Sequence, residues 1–292
     1  MRRFLTNLTF FVVLGFAVFW FITRPESFAD DALAGLTADT SRGETVFHAA
    51  GCASCHTAPG VDSKGAPVLS GGQRFPSDFG TFIAPNISSD PTHGIGEWSA
   101  LDLANAMKFG TSPDGQHYYP AFPYTSYARA EVQDIVDLHA YLATLPGDAT
   151  PSQPHEVGFP FNIRLAMGGW KFLFFSDEWT IGAPNEQLER GRYLVEALGH
   201  CAECHTPRGP LGNLDNSAWL TGAPDPSGKG RVPDITPQTL GWSEGDLAYY
   251  FESGFTPDFD SSGGHMAHVV ENLGKLPAQD REAIAAYLIA LP

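Results

Sequence analysis

The chain has 292 residues, of which 43% are hydrophobic and 17% charged, which favours two folded domains and argues against disorder. Lys and Arg together number 17 and Asp and Glu together number 33, so the net charge is −16. This balance argues against nucleic-acid binding, because phosphate repels an acidic surface, and it favours a basic or neutral protein partner. Four cysteines are too few for a disulfide scaffold.

An apolar segment of 19 residues, 4–22, opens the chain. At about 1.5 Å per helical residue it just spans a hydrocarbon core of about 30 Å. Arg2 and Arg3 precede it and mark the cytoplasmic side, so the remainder of the chain is expected outside the cytoplasm. The competing interpretation is a signal peptide cleaved at Ser27-Phe28-Ala29. We favour an uncleaved, single-pass anchor over 1–24, followed by a linker over 25–38.

The rest of the chain contains one internal duplication. Four landmarks recur in the same order at offsets of 149, 144, 144 and 146 residues: CASCHT with CAECHT, Trp98-Ser99 with Trp242-Ser243, Pro113-Asp114 with Pro257-Asp258, and Ala140-Tyr141-Leu142 with Ala286-Tyr287-Leu288. The duplication predicts two domains, over 39–148 and 189–292, joined by a connector over 149–188.

Each copy has the pattern of helices joined by long loops. Ser99 with Asp102, and Ser243 with Asp246, are N-cap signatures, and Gly110 and Gly254 are suitable helix ends. The last helix of each copy has apolar residues at helical spacing. Because no sustained alternation of period two occurs, little sheet is expected.

All four cysteines fall in two Cys-x-x-Cys-His motifs: Cys52, Cys55 and His56, and Cys201, Cys204 and His205. A redox dithiol does not require the histidine, and a zinc site would have to join pairs that lie 149 residues apart. Covalent haem attachment explains every residue, since the two thiols bind the porphyrin and the histidine becomes the proximal iron ligand. Two covalently bound haems c are therefore predicted, haem 1 at Cys52–His56 and haem 2 at Cys201–His205.

With these motifs the chain resembles the diheme, membrane-anchored c-type cytochromes of bacteria. It is similar to the cytochrome c subunits of periplasmic alcohol, aldehyde and gluconate-type dehydrogenases, through the stretches GCASCHTAPG, PNISSDPTHGIGEWS, DGQHYYPAFPYTSYAR, GHCAECHTPRG and GWSEGDLAYYFESG. The resemblance implies an all-α fold of two tandem class I cytochrome c domains and a role in electron relay.

Class I domains usually supply a distal Met from a loop before the final helix. Met266, predicted in the loop 261–266 ahead of the last helix, is the expected ligand of haem 2, although His265 and His268 flank it. Met266 follows the shared Asp258 by eight residues, and the residue eight after Asp114 is Phe122, which cannot bind iron. The dehydrogenase subunits carry Met at this place in Tyr-Pro-Ala-Met-Pro-Tyr, so the sequence departs from the family here.

Haem 1 then needs another sixth ligand or has none. His117, in the same loop as Phe122, is the first candidate, and an open or water-bound iron is the alternative. Met107 is expected in the core, His48 at the surface, and His139 packed within the last helix of its copy.

Trp98 and Trp242 are interpreted either as core aromatics or as indole donors to a haem propionate. Arg208 has the same two alternatives, a propionate partner or a solvated surface residue. The aromatic connector, which Arg164 and Lys171 interrupt, is expected to pack between the domains, and a membrane-surface or partner-docking patch is the alternative.

The sequence predicts an electron carrier on the periplasmic face of a bacterial inner membrane. It would pass electrons from a dehydrogenase or soluble donor towards a soluble basic cytochrome or an oxidase. No substrate-binding motif occurs that would make the chain an enzyme. A diheme peroxidase that uses the Met-lacking haem 1 is the alternative, and a redox-silent anchoring subunit is a third.

Overall fold

The computed structural model describes residues 2–61, 65–225 and 230–292, and these are mostly helical. The first half contains α1 (Arg2–Ile22), α2 (Thr40–Ala49), α3 (Cys52–His56), β1 (Arg74–Ser77), β2 (Gly80–Ile83), α4 (Ala100–Phe109), α5 (Tyr124–Tyr127), α6 (Val132–Leu142), β3 (Glu156–Val157) and α7 (Ala166–Phe174). The second contains α8 (Glu186–Arg192), a π-helical turn (Tyr193–Leu198), α9 (Ala202–His205), a 3₁₀ turn (Asn216–Ala218), β4 (Ala223–Pro224), β5 (Arg231–Val232), α10 (Pro237–Leu240), α11 (Glu244–Ser253), α12 (Gly264–Leu273) and α13 (Ala278–Ile289).

Helix α1 is long and apolar enough to cross a membrane, and none of its described side chains is buried against the rest of the protein. A signal sequence has the same properties. The residue that follows the helix is different, because Thr23 is fully buried. The end of α1 is therefore packed against the body of the protein.

Each half is built on two helices that cross at a glycine. Gly43 of α2 faces the backbone of α6, where an added Cβ would lie 2.0 Å from the Asp137 carbonyl oxygen. Gly191 of α8 faces α13 in the same way, with the Ala283 carbonyl oxygen 2.0 Å from an added Cβ. Only glycine allows backbones to approach so closely, so the duplication seen in the sequence recurs as a duplicated helix crossing.

An ion pair accompanies each crossing. Arg42 and Asp134 lie 2.8 Å apart in the first half, and Arg190 and Asp280 lie 2.8 Å apart in the second. The second pair is bidentate, through the Nε and Nη2 atoms of the guanidinium.

The predicted caps of α4 and α11 are confirmed. The Ser99 hydroxyl accepts from the backbone N–H of Asp102, and the Ser243 hydroxyl accepts from that of Asp246. In both helices the aspartate side chain in turn accepts from the backbone N–H of the capping serine. Gly110 and Gly254 end these helices in the left-handed conformation, at φ 60° and 78°. These local signals set where each of the two helices begins and ends.

The fold is not purely helical. Strands β1, β2 and β3 form a three-stranded antiparallel sheet, with Phe75 opposite Phe82 and Gly80 opposite Val157. Strand β3 belongs to the connector, so the connector adds a strand to a sheet of the first half. Strands β4 and β5 form a second, two-stranded sheet.

The two halves share one hydrophobic core. A single cluster of buried side chains includes Phe47 and Ile135 of the first half and Leu198 and Leu288 of the second. The Tyr193 hydroxyl also donates across the boundary to Asp134, at 2.6 Å. The division into domains at 39–148 and 189–292 stays a prediction, and the packing joins the halves closely.

Candidate haem sites

Both Cys-x-x-Cys-His motifs lie on a short helix that follows a left-handed residue. Gly51, with φ 59°, precedes α3, and His200, with φ 39°, precedes Cys201, the N-cap residue of α9. None of the four cysteines forms a disulfide. Each helical turn places the two cysteines and the histidine of its motif together.

The two proximal histidines have the same hydrogen-bond environment. His56 Nδ1 lies 2.8 Å from the Pro85 carbonyl oxygen, and His205 Nδ1 lies 2.8 Å from that of Pro233. Because Nδ1–H donates to a carbonyl, Nε2 carries the lone pair and is available for a metal. Burial lowers the pKa of both imidazoles, which favours the neutral, ligating form. The side chains of both motifs therefore fit a covalently attached haem.

The contacts with the two proline carbonyls were not predicted from the sequence. They belong to a repeated signal, Pro85-Asn86-Ile87-Ser88 and Pro233-Asp234-Ile235-Thr236, which the comparison of the two halves could have revealed. In both halves the histidine carbonyl also accepts from a glycine N–H at 2.7 Å, from Gly71 to His56 and from Gly222 to His205.

The thiols do not have the environment of a redox pair. Burial raises the pKa of Cys52 to about 12, that of Cys55 to about 11 and that of Cys201 to about 12. A reactive dithiol needs a lowered thiol pKa, so these raised pKa values argue against thiol–disulfide chemistry. The zinc alternative is disfavoured as well, since the described residues contain no group of three or more His, Cys, Asp or Glu side chains arranged for a metal ion.

The two motifs face each other across the boundary between the halves. One contact joins the residues next to the two motifs directly, from His200 Nε2 to the Ala50 carbonyl oxygen at 3.3 Å. Each motif also contacts a helix of the other half: Ser54 Oγ accepts from Asn272 Nδ2 of α12 at 3.0 Å, and Glu203 Oε1 accepts from Thr125 Oγ1 of α5 at 3.1 Å. The Tyr127 ring lies 5.6 Å from that of His200 and extends this contact. The two attachment sites are therefore close neighbours in the fold.

The sequence predicted Met266 in a loop, but it lies in the first turn of α12, where it is half-buried. The Ser-Ser-Gly-Gly run indicated a loop, but the amphipathic residues that follow, among them Val270 and Leu273, extend the helix back to Gly264. His265 points towards the first half, with its ring 5.8 Å from that of Phe75. His268 is exposed.

The structure supports the equivalence of Phe122 and Met266. The antiparallel bridge between Thr111 and His117 recurs, 144 residues later, between Phe255 and Ser261. Phe122 and Met266 follow their bridges by the same number of residues. The Phe122 ring packs 5.7 Å from that of Tyr127, beside the first attachment motif.

His117, the candidate sixth ligand of haem 1, has a backbone partner. Its Nε2 lies 2.9 Å from the Thr23 carbonyl oxygen, and Nδ1 is buried without a hydrogen-bond partner. The side chain is 3% exposed. Iron ligation by His117 therefore requires Nδ1, or release of the Thr23 carbonyl.

The other histidines and Met107 have defined surroundings. His48 is not a surface residue as predicted, because it is half-buried with Nδ1 3.2 Å from Asn272 Oδ1 of the second half. Met107 is 3% exposed and lies in the core, as expected. His139 lies 2.8 Å from the Trp98 carbonyl oxygen, consistent with a packed histidine.

Trp98 and Trp242 are half-buried and pack against the hydrophobic core, and an indole contact with a haem propionate stays a prediction. Arg208 is paired with Glu203 of the same motif and donates to the Gly212 carbonyl oxygen at 2.8 Å. A contact of Arg208 with a propionate stays a prediction, and it would have to compete with Glu203.

Comparison with known proteins assigns the family. The family model for cytochrome c matches residues 40–146. The chain is also 55% identical over 296 residues to a diheme cytochrome c-type protein of Cereibacter sphaeroides, covering all of this chain and 99% of that protein. The chain belongs to the diheme c-type cytochromes. The diheme cytochrome thus carries covalently bound haem c, as its motifs predicted.

Several relatives are named as subunits of dehydrogenases. The cytochrome is 38% identical over 265 residues to the fructose dehydrogenase cytochrome subunit of Gluconobacter japonicus, covering 86% of the chain and 52% of that subunit. It is 33% identical over 281 residues to the cytochrome c subunit of the quinone alcohol dehydrogenase of Gluconobacter oxydans, covering 90% and 56%. The chain spans about half the length of these subunits. Their names bear out an electron carrier and give no support to a peroxidase.

Proposed function

We propose that the cytochrome accepts electrons from a dehydrogenase on the periplasmic face of a bacterial inner membrane and passes them to a respiratory acceptor. The dehydrogenase subunits among its relatives support a donor of this kind, and the apolar α1 supports attachment to a membrane. The charge of −16 favours an acceptor with a basic docking surface, such as a basic cytochrome.

Bound haem supplies reversible one-electron chemistry at each motif. We assign the thioether bonds to Cys52 and Cys55 in the first half and to Cys201 and Cys204 in the second. His56 and His205 bind the iron through Nε2, and the carbonyl oxygens of Pro85 and Pro233 fix their rings. This duplicated histidine–carbonyl geometry is the observation that carries the proposal.

The contact between the attachment sites gives the chain a relay within one molecule. The hydrogen bond from His200 to Ala50 joins the neighbourhoods of the two motifs, and the bond from Asn272 to Ser54 joins the first motif to α12 of the second half. A donor and an acceptor can then use different halves of the protein.

The sixth ligands distinguish the two sites. Met266 is assigned to haem 2, where a thioether stabilises the ferrous state and raises the potential. For haem 1 the candidates are His117 and an open position, since Phe122 replaces the methionine. Either candidate predicts a lower potential or a different spin state at the first site than at the second.

The test is spectroscopy of single variants of the membrane-extracted holoprotein. Met266→Ala should abolish the sulfur-to-iron charge-transfer band of the ferric protein, whereas His117→Ala should leave that band intact. If His117 binds iron, its removal alters the low-spin spectrum of haem 1. If the position is open, the parent protein already binds carbon monoxide when reduced. Two equal Met-type signals in the parent would contradict this asymmetry and would point to Met107.

The donor is tested by co-purification and turnover. A dehydrogenase that co-purifies with the cytochrome in mild detergent should reduce both haems when its substrate is added. Failure of any co-purifying protein to reduce the haems would contradict the proposed donor and leave haem binding unaffected. Turnover of peroxide by the reduced protein would instead favour the peroxidase alternative.

A further inference from the structure

The connector carries an apolar surface that the rest of the described chain does not cover. Phe159 is 81% exposed, Phe172 is 68% exposed and Leu173 is 65% exposed. We name as the connector face the six exposed large apolar side chains of residues 159–173: Phe159, Phe161, Ile163, Leu165, Phe172 and Leu173. A surface helix of a water-soluble protein buries its apolar stripe and exposes polar residues. Helix α7 instead exposes Phe172 and Leu173 and turns Lys171 towards the first half. Such a surface marks an interaction site.

The two cations of this segment point away from the connector face. The Arg164 guanidinium donates to the His117 carbonyl oxygen at 2.9 Å and lies 4.1 Å from the centre of the Tyr119 ring. Lys171 donates to the carbonyl oxygens of Phe109 and Gly110, at 2.9 Å for the latter. The side chains that remain exposed along 159–173 are therefore uncharged.

The connector face is fixed to the end of α1. Gly168 of α7 packs on Thr23, where an added Cβ would lie 2.6 Å from the Thr23 Cα. His117 binds the Thr23 carbonyl oxygen from the other side. Arg24 then folds back over the Trp20 ring, 3.9 Å from its centre. Tryptophan and arginine at the end of an apolar helix are typical of the membrane–water interface.

These contacts place α7 at the level where α1 leaves the hydrocarbon core. A helix there with an uncharged apolar surface fits the headgroup–acyl boundary of a bilayer. The net charge of −16 gives the protein no electrostatic attraction to anionic lipids, so membrane contact has to come from apolar side chains.

We propose that the connector face lies in the interface of the same bilayer that α1 enters and thereby orients the haem-bearing halves against the membrane. This rests on the proposed membrane attachment through α1. It assigns to the connector a second membrane contact, in addition to its packing role. Thr23, Gly168 and His117 are the positioning residues, because they fix the angle between α1 and α7.

The test uses the full holoprotein in liposomes of neutral phospholipid. Haem attachment consumes all four native cysteines, so a single new cysteine can be spin-labelled selectively. Phe172→Cys and Leu173→Cys probe the connector face, and Glu282→Cys, exposed on α13, is the matched control. All three positions are solvent-accessible in the protein, so the substitutions disturb no packing.

Power saturation then compares collisions with oxygen, which concentrates in lipid, and with a water-soluble nickel chelate. We expect the labels at 172 and 173 to be relaxed more by oxygen than by the chelate, and the label at 282 to show the opposite. Equal behaviour at 172, 173 and 282 would overturn the proposal. Absence of the protein from the vesicles would overturn it too, whereas the haem absorbance of the same sample tests the electron-transfer function separately.

Discussion

Replacement of Gly43 by alanine tests whether the duplicated helix crossing supports the fold. The added Cβ would lie 2.0 Å from the Asp137 carbonyl oxygen and 2.9 Å from the Tyr141 Cβ. Both neighbours belong to α6, and the nearest atom is backbone, which cannot move without the helix. Helices α2 and α6 must therefore separate by more than about 1 Å to reach an ordinary van der Waals distance.

The size of the effect follows from two opposing contributions. Overpacking of a well-packed contact costs about 1–3 kcal/mol, and the severity of this clash favours the upper end. Alanine has a higher helix propensity than glycine by about 1 kcal/mol, which offsets part of the cost. The expected net loss is about 2 kcal/mol in the free energy of unfolding. Gly191→Ala, with its Cβ 2.0 Å from the Ala283 carbonyl oxygen, should lose a similar amount.

Denaturant unfolding of the purified holoprotein, followed by far-ultraviolet circular dichroism, measures this free energy. Gly245→Ala is the matched control, because Gly245 is also helical but its added Cβ would meet only the Ser243 hydroxyl, at 3.8 Å. The control should be unchanged or more stable by about 0.5 kcal/mol. If Gly43→Ala behaved like Gly245→Ala, the close crossing of α2 and α6 would be wrong.

Three further predictions concern individual side chains. Gly115, with φ 74°, and Phe259, with φ 61°, occupy equivalent left-handed turns. Gly115→Ala should therefore lower the free energy of unfolding by about 1 kcal/mol, and Phe259→Gly should not lower it. Equal losses of stability in thermal unfolding would contradict the shared geometry. Burial lowers the pKa of His48, so folded stability should fall as the pH drops below about 6.5, where the unfolded chain binds the proton more readily. His48→Gln should flatten that part of the stability–pH curve, and an unchanged slope would contradict the burial of this imidazole as the cause. Asn272→Ala should slow electron exchange between the haems, measured by flash photolysis, while leaving both ligand spectra intact; an unchanged rate would contradict a role of this contact in spacing the motifs.

Local signals allowed much of the fold to be predicted. The capping boxes at Ser99 and Ser243 and the glycine ends at Gly110 and Gly254 depend on residues within one helix, and all four are confirmed. The cysteine motifs are local as well, since one helical turn contains all the attachment residues. These features therefore required no knowledge of tertiary packing.

The contacts of His117 and His48 could not be predicted, because each partner is remote in sequence. His117 binds Thr23 across 94 residues and His48 binds Asn272 across 224, so no local pattern reports them. Met266 was placed in a loop because consecutive glycines indicate a turn, but helix α12 begins at the second of them. The pairing of β3 with β2 was missed for a similar reason, since two residues of strand leave no periodic pattern.

The central claim is that one chain carries two haems that exchange single electrons, and a potentiometric titration of the purified holoprotein tests it most directly. Absorbance is recorded while the protein is reduced stepwise against mediators, and the electrons taken up are counted per polypeptide. The account predicts two one-electron steps per chain, with Cys201→Ala removing one of them and leaving the other. A single step in the parent protein, or none, would contradict it.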